Sequence, residues 1–205
     1  MTKRINAKKK ISRKLGASLW GQAKDPYIKR NYKPGQHGTN TKGRSSDYGT
    51  QLRAKQRMKF YYGNISERQF LNTFTLASKS KGDVSENFVA LLESRLDTII
   101  YRANFVPTVF AARQFVSHKH VSVNGKTVNI ASYKVKIGDL VQIRQKSRSL
   151  NIVIESLQKM ERDIPSYMNL DKDSFTAKLT SKPEFAEVPY AAQMQPQLIT
   201  EFYSR

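Results

Sequence analysis

The sequence predicts an α+β fold, with helices first and then a compact helix–helix–hairpin–strand module between about residues 94 and 154. Three observations predict it. Apolar residues recur at helical spacing from Ser46 to Ala103. VSVNGKTVNI, residues 121–130, reads as two short strands around an Asn-Gly turn. KVKIGDLVQIR, residues 134–144, alternates as a strand does and breaks at Gly138-Asp139.

Residues 1–44 differ from the rest. Six of the ten glycines fall between Gly16 and Gly49, and KPGQHGTNTKGRSSDYG is turn-rich and basic. Such a segment is expected to build little core alone, and to order on a polyanion. Ser46 or Asp47 then caps a helix running to Tyr62. Its Arg53, Lys55, Arg57 and Lys59 spread round more than half the circumference, while Leu52, Met58 and Phe60 give only a narrow apolar stripe. One face is therefore expected on protein and another on an anion.

The next helix starts at GNISERQF, where Asn64 and Glu67 have capping-box spacing, and Phe70, Leu71, Phe74 and Leu76 supply its apolar side. Asp83 and Glu86 repeat that spacing before NFVALLESRLDTIIYRA, read as one helix with a broad apolar face. Thr108 caps TVFAARQFVSHKH, whose Val109, Ala112, Phe115 and Val116 face inward. An amphipathic helix is expected near residues 152–162. The segment 163–205 carries Pro165, Pro183, Pro189 and Pro196 and is expected to end in a short docked strand, LITEFYSR.

Charge narrows the function. The chain has 36 Lys and Arg against 16 Asp and Glu, a net +20. Self-repulsion of that size favours a polyanionic partner, nucleic acid first and an anionic membrane second. Residues 1–60 hold 17 basic and 2 acidic residues, net +15, whereas residues 61–205 hold 19 and 14, net +5. Having no cysteine, the chain has neither disulfides nor thiolate zinc ligands. No apolar run reaches membrane-spanning length. The start, MTKRINAKKKISRKL, reads as a basic nucleic-acid arm or, less simply, as a mitochondrial targeting segment.

Four clusters could carry chemistry. His118 and His120 flank Lys119, and a zinc pair, an acid–base pair, packed helix-end histidines and an anion contact are the alternatives. PGQHG, residues 34–38, is either a plain turn or a loop whose amides face phosphate; it lacks the GK[ST] ending of a nucleotide P-loop. Lys29, Arg30, Lys33, Lys42 and Arg44 surround it, and Tyr27, Tyr32 and Tyr48 are either base-stacking platforms or core aromatics. Arg95, Arg102, Arg113, Lys119, Asn124, Lys126 and Lys134 form a third cluster, and Arg144, Lys146 and Arg148 a fourth. No serine triad, paired acids or acidic metal cluster accompanies them.

Six segments in order resemble the bacterial-type ribosomal protein S four family over essentially the full length. They are PGQHG, SDYGTQLRAKQRMKFYYG, SERQF, ENFVALLESRLDTIIYR, ARQFVSHKHVSVNGKTVNIASYKVKIGD and EFYSR. The resemblance implies a mainly helical N-terminal domain with an inserted compact RNA-binding module, two helices packed on a small β-sheet. It implies an arm at 1–44, a helical domain at 45–93, the module at 94–160, and a segment at 161–205 returning to the helical domain. Arg113, Gln114, His118, Lys119, Val123, Asn124 and Gly125 occupy the module's characteristic positions.

RNA contacts are accordingly expected in four groups. The first is Lys3, Arg4, Lys8, Lys9, Lys10, Arg13 and Lys14 in the arm. The second is Lys29, Arg30, Lys33, Gly35, Gln36, His37, Gly38, Lys42 and Arg44 around the loop. Tyr48, Arg53, Lys55, Arg57 and Lys59 form the third. The fourth is Arg95, Arg113, Gln114, His118, Lys119, His120, Asn124 and Lys126. The family implies a non-enzymatic constituent of the cytoplasmic small ribosomal subunit that binds the 5′ domain of its rRNA and nucleates assembly. It further implies contact with ribosomal protein S five, proximity to the messenger RNA entry channel, and neither membrane nor obligatory homo-oligomer. Some members bind zinc through four N-terminal cysteines; this chain has none, so no metal and no cofactor is expected. The rival readings are an RNA-modifying enzyme carrying the same module, and a DNA-binding regulator.

Overall fold

A computed structural model describes residues 8–22, 24–40 and 46–204, except for the side chains of Lys8 and Lys9. The expected contacts at Lys3, Arg4, Lys42 and Arg44, and at the side chains of Lys8 and Lys9, lie outside the described residues. The architecture is α+β: helices α1 Lys8–Leu15, α2 Pro26–Lys29, α3 Asp47–Tyr61, α4 Glu67–Ser78, α5 Val84–Glu93, α6 Leu96–Arg102, α7 Val109–Ser117, α8 Asn151–Lys159 and α9 Pro196–Tyr203. Strands β1 Val121–Val123, β2 Lys126–Thr127, β3 Leu140–Ile143, β4 Met168–Asp171 and β5 Thr176–Leu179 form one sheet. No helix among the described residues is long and apolar enough to cross a membrane.

The chain forms two units, Met1–Asn72 with Tyr190–Arg205, and Thr73–Pro189. In the first, α3 starts where Ser46 Oγ accepts the Gly49 amide at 3.2 Å and packs against α9. Three features differ from expectation. The segment 1–44 does build core: Ile11, Leu15 and Leu19 are buried, and Trp20 Nε1 donates to Tyr61 O at 3.1 Å. Ile11 and Leu15, four apart, share one face of α1, a signal hidden beneath the basic composition, while Leu19 is buried beyond the helix end. Asn64 takes a left-handed φ of 54°, so the capping box with Glu67 is not made; Ser66 Oγ accepts the Gln69 amide at 3.3 Å instead. The terminal LITEFYSR forms most of helix α9 rather than a strand, with Pro196 at its first turn, where the ring presets φ.

In the second unit the apolar run read as one helix is two. Arg95 leaves the helical conformation with ψ 140°, and the amides of Leu96 and Asp97 donate to Tyr133 O and Ala131 O at 2.9 and 3.1 Å. The first turn of α6 is thereby satisfied by the chain beyond the hairpin. Asp83 caps α5 through Ser85 N at 3.1 Å, but Glu86 completes no box, its carboxylate accepting Phe185 N at 2.9 Å. Thr108 caps α7 through Ala111 N, as its position predicts.

Asn124 and Gly125, with φ of 48° and 78°, make the two-residue turn between β1 and β2. The antiparallel sheet runs β2-β1-β3-β5-β4. Val121, Val123, Val141, Ile143, Ala177 and Leu179 are its buried row, aligned by the pairs Val121–Ile143, Val123–Val141 and Val141–Ala177. The sheet corrects the expectation for 161–205. Residues 168–179 supply β4 and β5; β5 pairs with β3 and β4 with β5, and only Tyr190–Arg205 groups with the helical unit. Short, half-polar strands give weak periodicity, which hid them.

At the centre of the second unit Glu93, fully buried, holds Arg102. Arg102 Nε and Nη2 donate to its two oxygens at 3.0 and 2.8 Å, and Tyr167 Oη donates at 2.8 Å. Arg102 is only 2% exposed. A buried arginine needs such a partner because an uncompensated charge there is strongly unfavourable.

Candidate nucleic-acid interface

In the first unit the basic surface is built around α1. Arg13 Nε donates to Tyr32 O at 3.2 Å and Nη2 to Lys33 O at 3.3 Å, while its guanidinium lies over the Tyr32 ring at 4.7 Å. These contacts pin the loop to the helix. The loop closes on itself: Gly38 N donates to Gly35 O and Asn40 N to His37 O, both at 3.2 Å. Gly38 is obligatory, since a Cβ there would stand 1.8 Å from Lys33 O. Between helix and loop lies a cleft of about 300 Å³, lined by Arg13, Lys14, Tyr32, Lys33, Gly38, Thr39 and Arg53 among others. Lys10, Lys29, Arg30, Gln36 and His37 are exposed nearby in sequence.

Other members of the expected set serve the fold instead. Lys55 is buried and donates to Glu67 at 2.8 Å; Lys59 bonds the other oxygen at 3.0 Å. Arg57 clamps backbone, donating to Gln193 O at 2.9 Å and Leu15 O at 3.3 Å; burial first, then Arg53, lowers its pKa. Lys55 and Arg57 thus commit donors to internal partners. Tyr48 stays exposed although its ring meets Phe202 at 5.6 Å.

In the second unit the end of α7 carries Gln114, His118 and Lys119, all exposed. Lys119 takes a left-handed φ of 63°, and Arg144 Nη1 donates to its carbonyl at 3.1 Å. A cation thus meets the negative end of the helix and braces the turn. His120 is not turned outward with His118. It stacks on Phe115 at 4.7 Å and its Nδ1 shares a 2.8 Å hydrogen bond with Ser147 Oγ. Burial first, then His118 and Arg144, lowers its pKa, which favours the neutral ring. Among the described residues no group of three or more His, Asp or Glu stands close enough to hold a metal ion.

Arg95 is buried, its Nε and Nη2 donating to Asp97 at 3.0 and 2.8 Å. Arg113 reaches the same carboxylate at 3.4 Å with 17% of its side chain exposed. Two guanidiniums on one carboxylate leave local positive charge, and Arg113 brings it toward the surface. The expected contact at Arg95 is corrected: it is an internal anchor. Asn124 stays exposed while its side chain braces the hairpin. Its Nδ2 donates to Asp139 Oδ1 at 2.8 Å, and its Oδ1 accepts Leu140 N at 2.9 Å, tying the hairpin to β3. Lys126 remains exposed on β2. Sequence reasoning left two residues out of the expected set. Arg144 acts through its carbonyl contact, and Lys178 is exposed on β5, a strand not foreseen.

Comparison with known proteins fits both basic surfaces. Residues 3–93 match the Ribosomal protein S4/S9 N-terminal domain, and residues 94–141 match the S4 domain. The whole chain is 54% identical to the whole of Small ribosomal subunit protein uS4 from Brucella abortus (strain S19), over 205 residues. It is 56% identical, again over both full lengths, to the protein of that name from Paracoccus denitrificans (strain Pd 1222). The chain belongs to the uS4 family. In uS4 terms, the α1–loop cleft falls in the N-terminal match. Asp97, Arg113, the α7 end and the hairpin all fall in the S4-domain match.

Proposed function

We propose that this uS4 family member is a primary binder of the 5′ domain of small-subunit rRNA, nucleates subunit assembly there, and supports decoding accuracy through contact with ribosomal protein S five near the messenger RNA entry channel. Membership of the family makes it a structural constituent of the cytoplasmic small ribosomal subunit and not an enzyme. The observation that carries the RNA reading is the charge distribution: net +15 over residues 1–60, with Arg13, Lys14, Lys33 and Arg53 lining one cleft.

Binding is distributed. Each lysine or arginine set against a phosphate releases counterions, so affinity falls steeply with salt. The folded α7 end and hairpin present a fixed outline, and RNA shape more than a base string is selected. The RNA-facing set is Lys10, Arg13, Lys14, Lys29, Arg30, Lys33, Gln36, His37, Tyr48 and Arg53 in the first unit. In the second it is Arg113, Gln114, His118, Lys119 and Lys126. Lys3, Arg4, Lys42 and Arg44 belong to the same proposal on charge alone. The arm at 1–44 and the module at 94–160 are its two RNA-binding regions.

Nuclease footprinting on intact small-subunit RNA, with duplex DNA as competitor, tests the reading. A compact footprint at the 5′-domain junction that survives the DNA is expected. Equal competition by DNA would favour a DNA-binding regulator.

A further inference from the structure

We propose that the cleft between α1 and the 32–40 loop receives a single unstacked nucleotide, its phosphate against the cations of the cleft and its base on the uncovered side of Tyr32. The inference rests on the rRNA reading above and specifies a subsite within it. Three observations carry it. First, the cleft, about 300 Å³, is walled by the cations Arg13, Lys14, Lys33 and Arg53. That volume stands at the lower end of the roughly 300–1,000 Å³ typical of small-ligand sites, and suits one nucleotide better than a groove-filling element.

Second, an aromatic ring stands beside those cations. Arg13 covers one face of Tyr32 at 4.7 Å, and the residue keeps 40% of its surface exposed. The guanidinium polarises and holds the ring, and the exposure that remains is where a second planar group would stack. In paired RNA the base faces are already stacked inside the helix. A partly exposed ring beside a nucleotide-sized cationic cleft therefore matches an unpaired base, which every nucleobase can satisfy through its π-face.

Third, the subsite is preformed. Two of the five N–H donors of Arg13 are taken by Tyr32 O and Lys33 O. Among the described residues its Nη1 makes no hydrogen bond, which leaves it available to phosphate oxygen. Gly38 lets the loop pass so close to Lys33 O that no side chain fits. Nucleotide binding thus meets a wall already in place, at small ordering cost.

The test uses the full-length protein and a transcript of the 5′ domain of small-subunit rRNA, read by binding titration at several salt concentrations and by chemical probing of unpaired nucleotides. Tyr32→Leu keeps an apolar side chain beneath Arg13 but removes the π-face. It is expected to weaken binding by about five- to hundredfold, the effect of one lost base stack. It should also expose one nucleotide while leaving the remaining footprint intact. Tyr32→Phe keeps the stack and should behave as wild type. Lys33→Ala, an exposed change that spares the loop, should lower the salt slope by about one. Wild-type binding and protection by Tyr32→Leu overturn the nucleotide subsite while rRNA binding stands. Equal weakening by Tyr32→Phe and Tyr32→Leu also overturns it, because the hydroxyl would then carry the contact. An unchanged salt slope for Lys33→Ala removes the phosphate half of the proposal. Absence of any footprint for the wild-type protein overturns the rRNA reading itself.

Discussion

Glu93 in the second unit and Glu67 in the first both hold basic charge inside the protein, one arginine and two lysines respectively, and the two carboxylates stand in different solvents. In the second unit Glu93 and Arg102 are both almost fully buried, with Tyr167 Oη as a third member. In the first, Glu67 binds Lys55, Lys59 and Tyr203 Oη while 46% of its own side chain remains exposed. Burial on its own would raise the Glu67 carboxyl, but hydrogen bonds from Lys55, Lys59 and Tyr203 outweigh it and hold the pKa at about 2. Burial, then Glu67, pushes the Tyr203 phenol up. The difference teaches that a basic chain does not offer all its cations to a polyanion. Some are consumed internally, irreplaceably where water is excluded and adjustably where it is not.

The largest break in this comparison is Glu93→Gln. It leaves the Arg102 charge buried against a neutral amide and should cost about 3–5 kcal/mol in urea unfolding. Asp97→Asn comes next, at about 2 kcal/mol, since Arg95 loses a charged bidentate partner while Arg113 still reaches water. Glu67→Gln should cost only roughly 1 kcal/mol, discounted for solvent screening of the exposed carboxylate. A loss as large as that of Glu93→Gln would erase the distinction drawn here.

Acid titration sharpens it further. The folded-state pKa of Glu67 lies below its ordinary 4.5, so its contribution is fully present above about pH 4.5 and is lost as pH falls toward 2. Melting across that window should fall less in Glu67→Gln than in the wild type. The smallest effect on stability belongs to the exposed pair Lys10→Ala and Lys14→Ala, within about 0.5 kcal/mol. The same double change should lower the salt slope of rRNA binding by about two.

Much of the helical framework was legible because its signals are local. Ser46, Asp83 and Thr108 announce helix starts, and Asn124-Gly125 announces a hairpin, through chemistry within three residues. Strands β4 and β5 were not legible, because four-residue segments are confirmed only by their pairing, β5 onto β3 and β4 onto β5. The single helix expected across residues 87–103 failed at Arg95, where the competing hydrogen bonds come from residues 131–135. For the interface, the basic arm and the HKH segment showed where cations are, but not which are spent. Lys55, Arg57 and Arg95 look like their exposed neighbours in the sequence and differ in their burial and partners.

The sequence by itself determined the net positive charge, its N-terminal concentration, the lack of thiol chemistry and the family resemblance, since these depend on composition and order alone. Only the tertiary structure decided which cations face solvent and which face Glu67, Glu93 or Asp97. That sorting is made by contacts between residues distant in the chain, where burial fixes whether a charge must find a protein partner or can keep water until RNA replaces it.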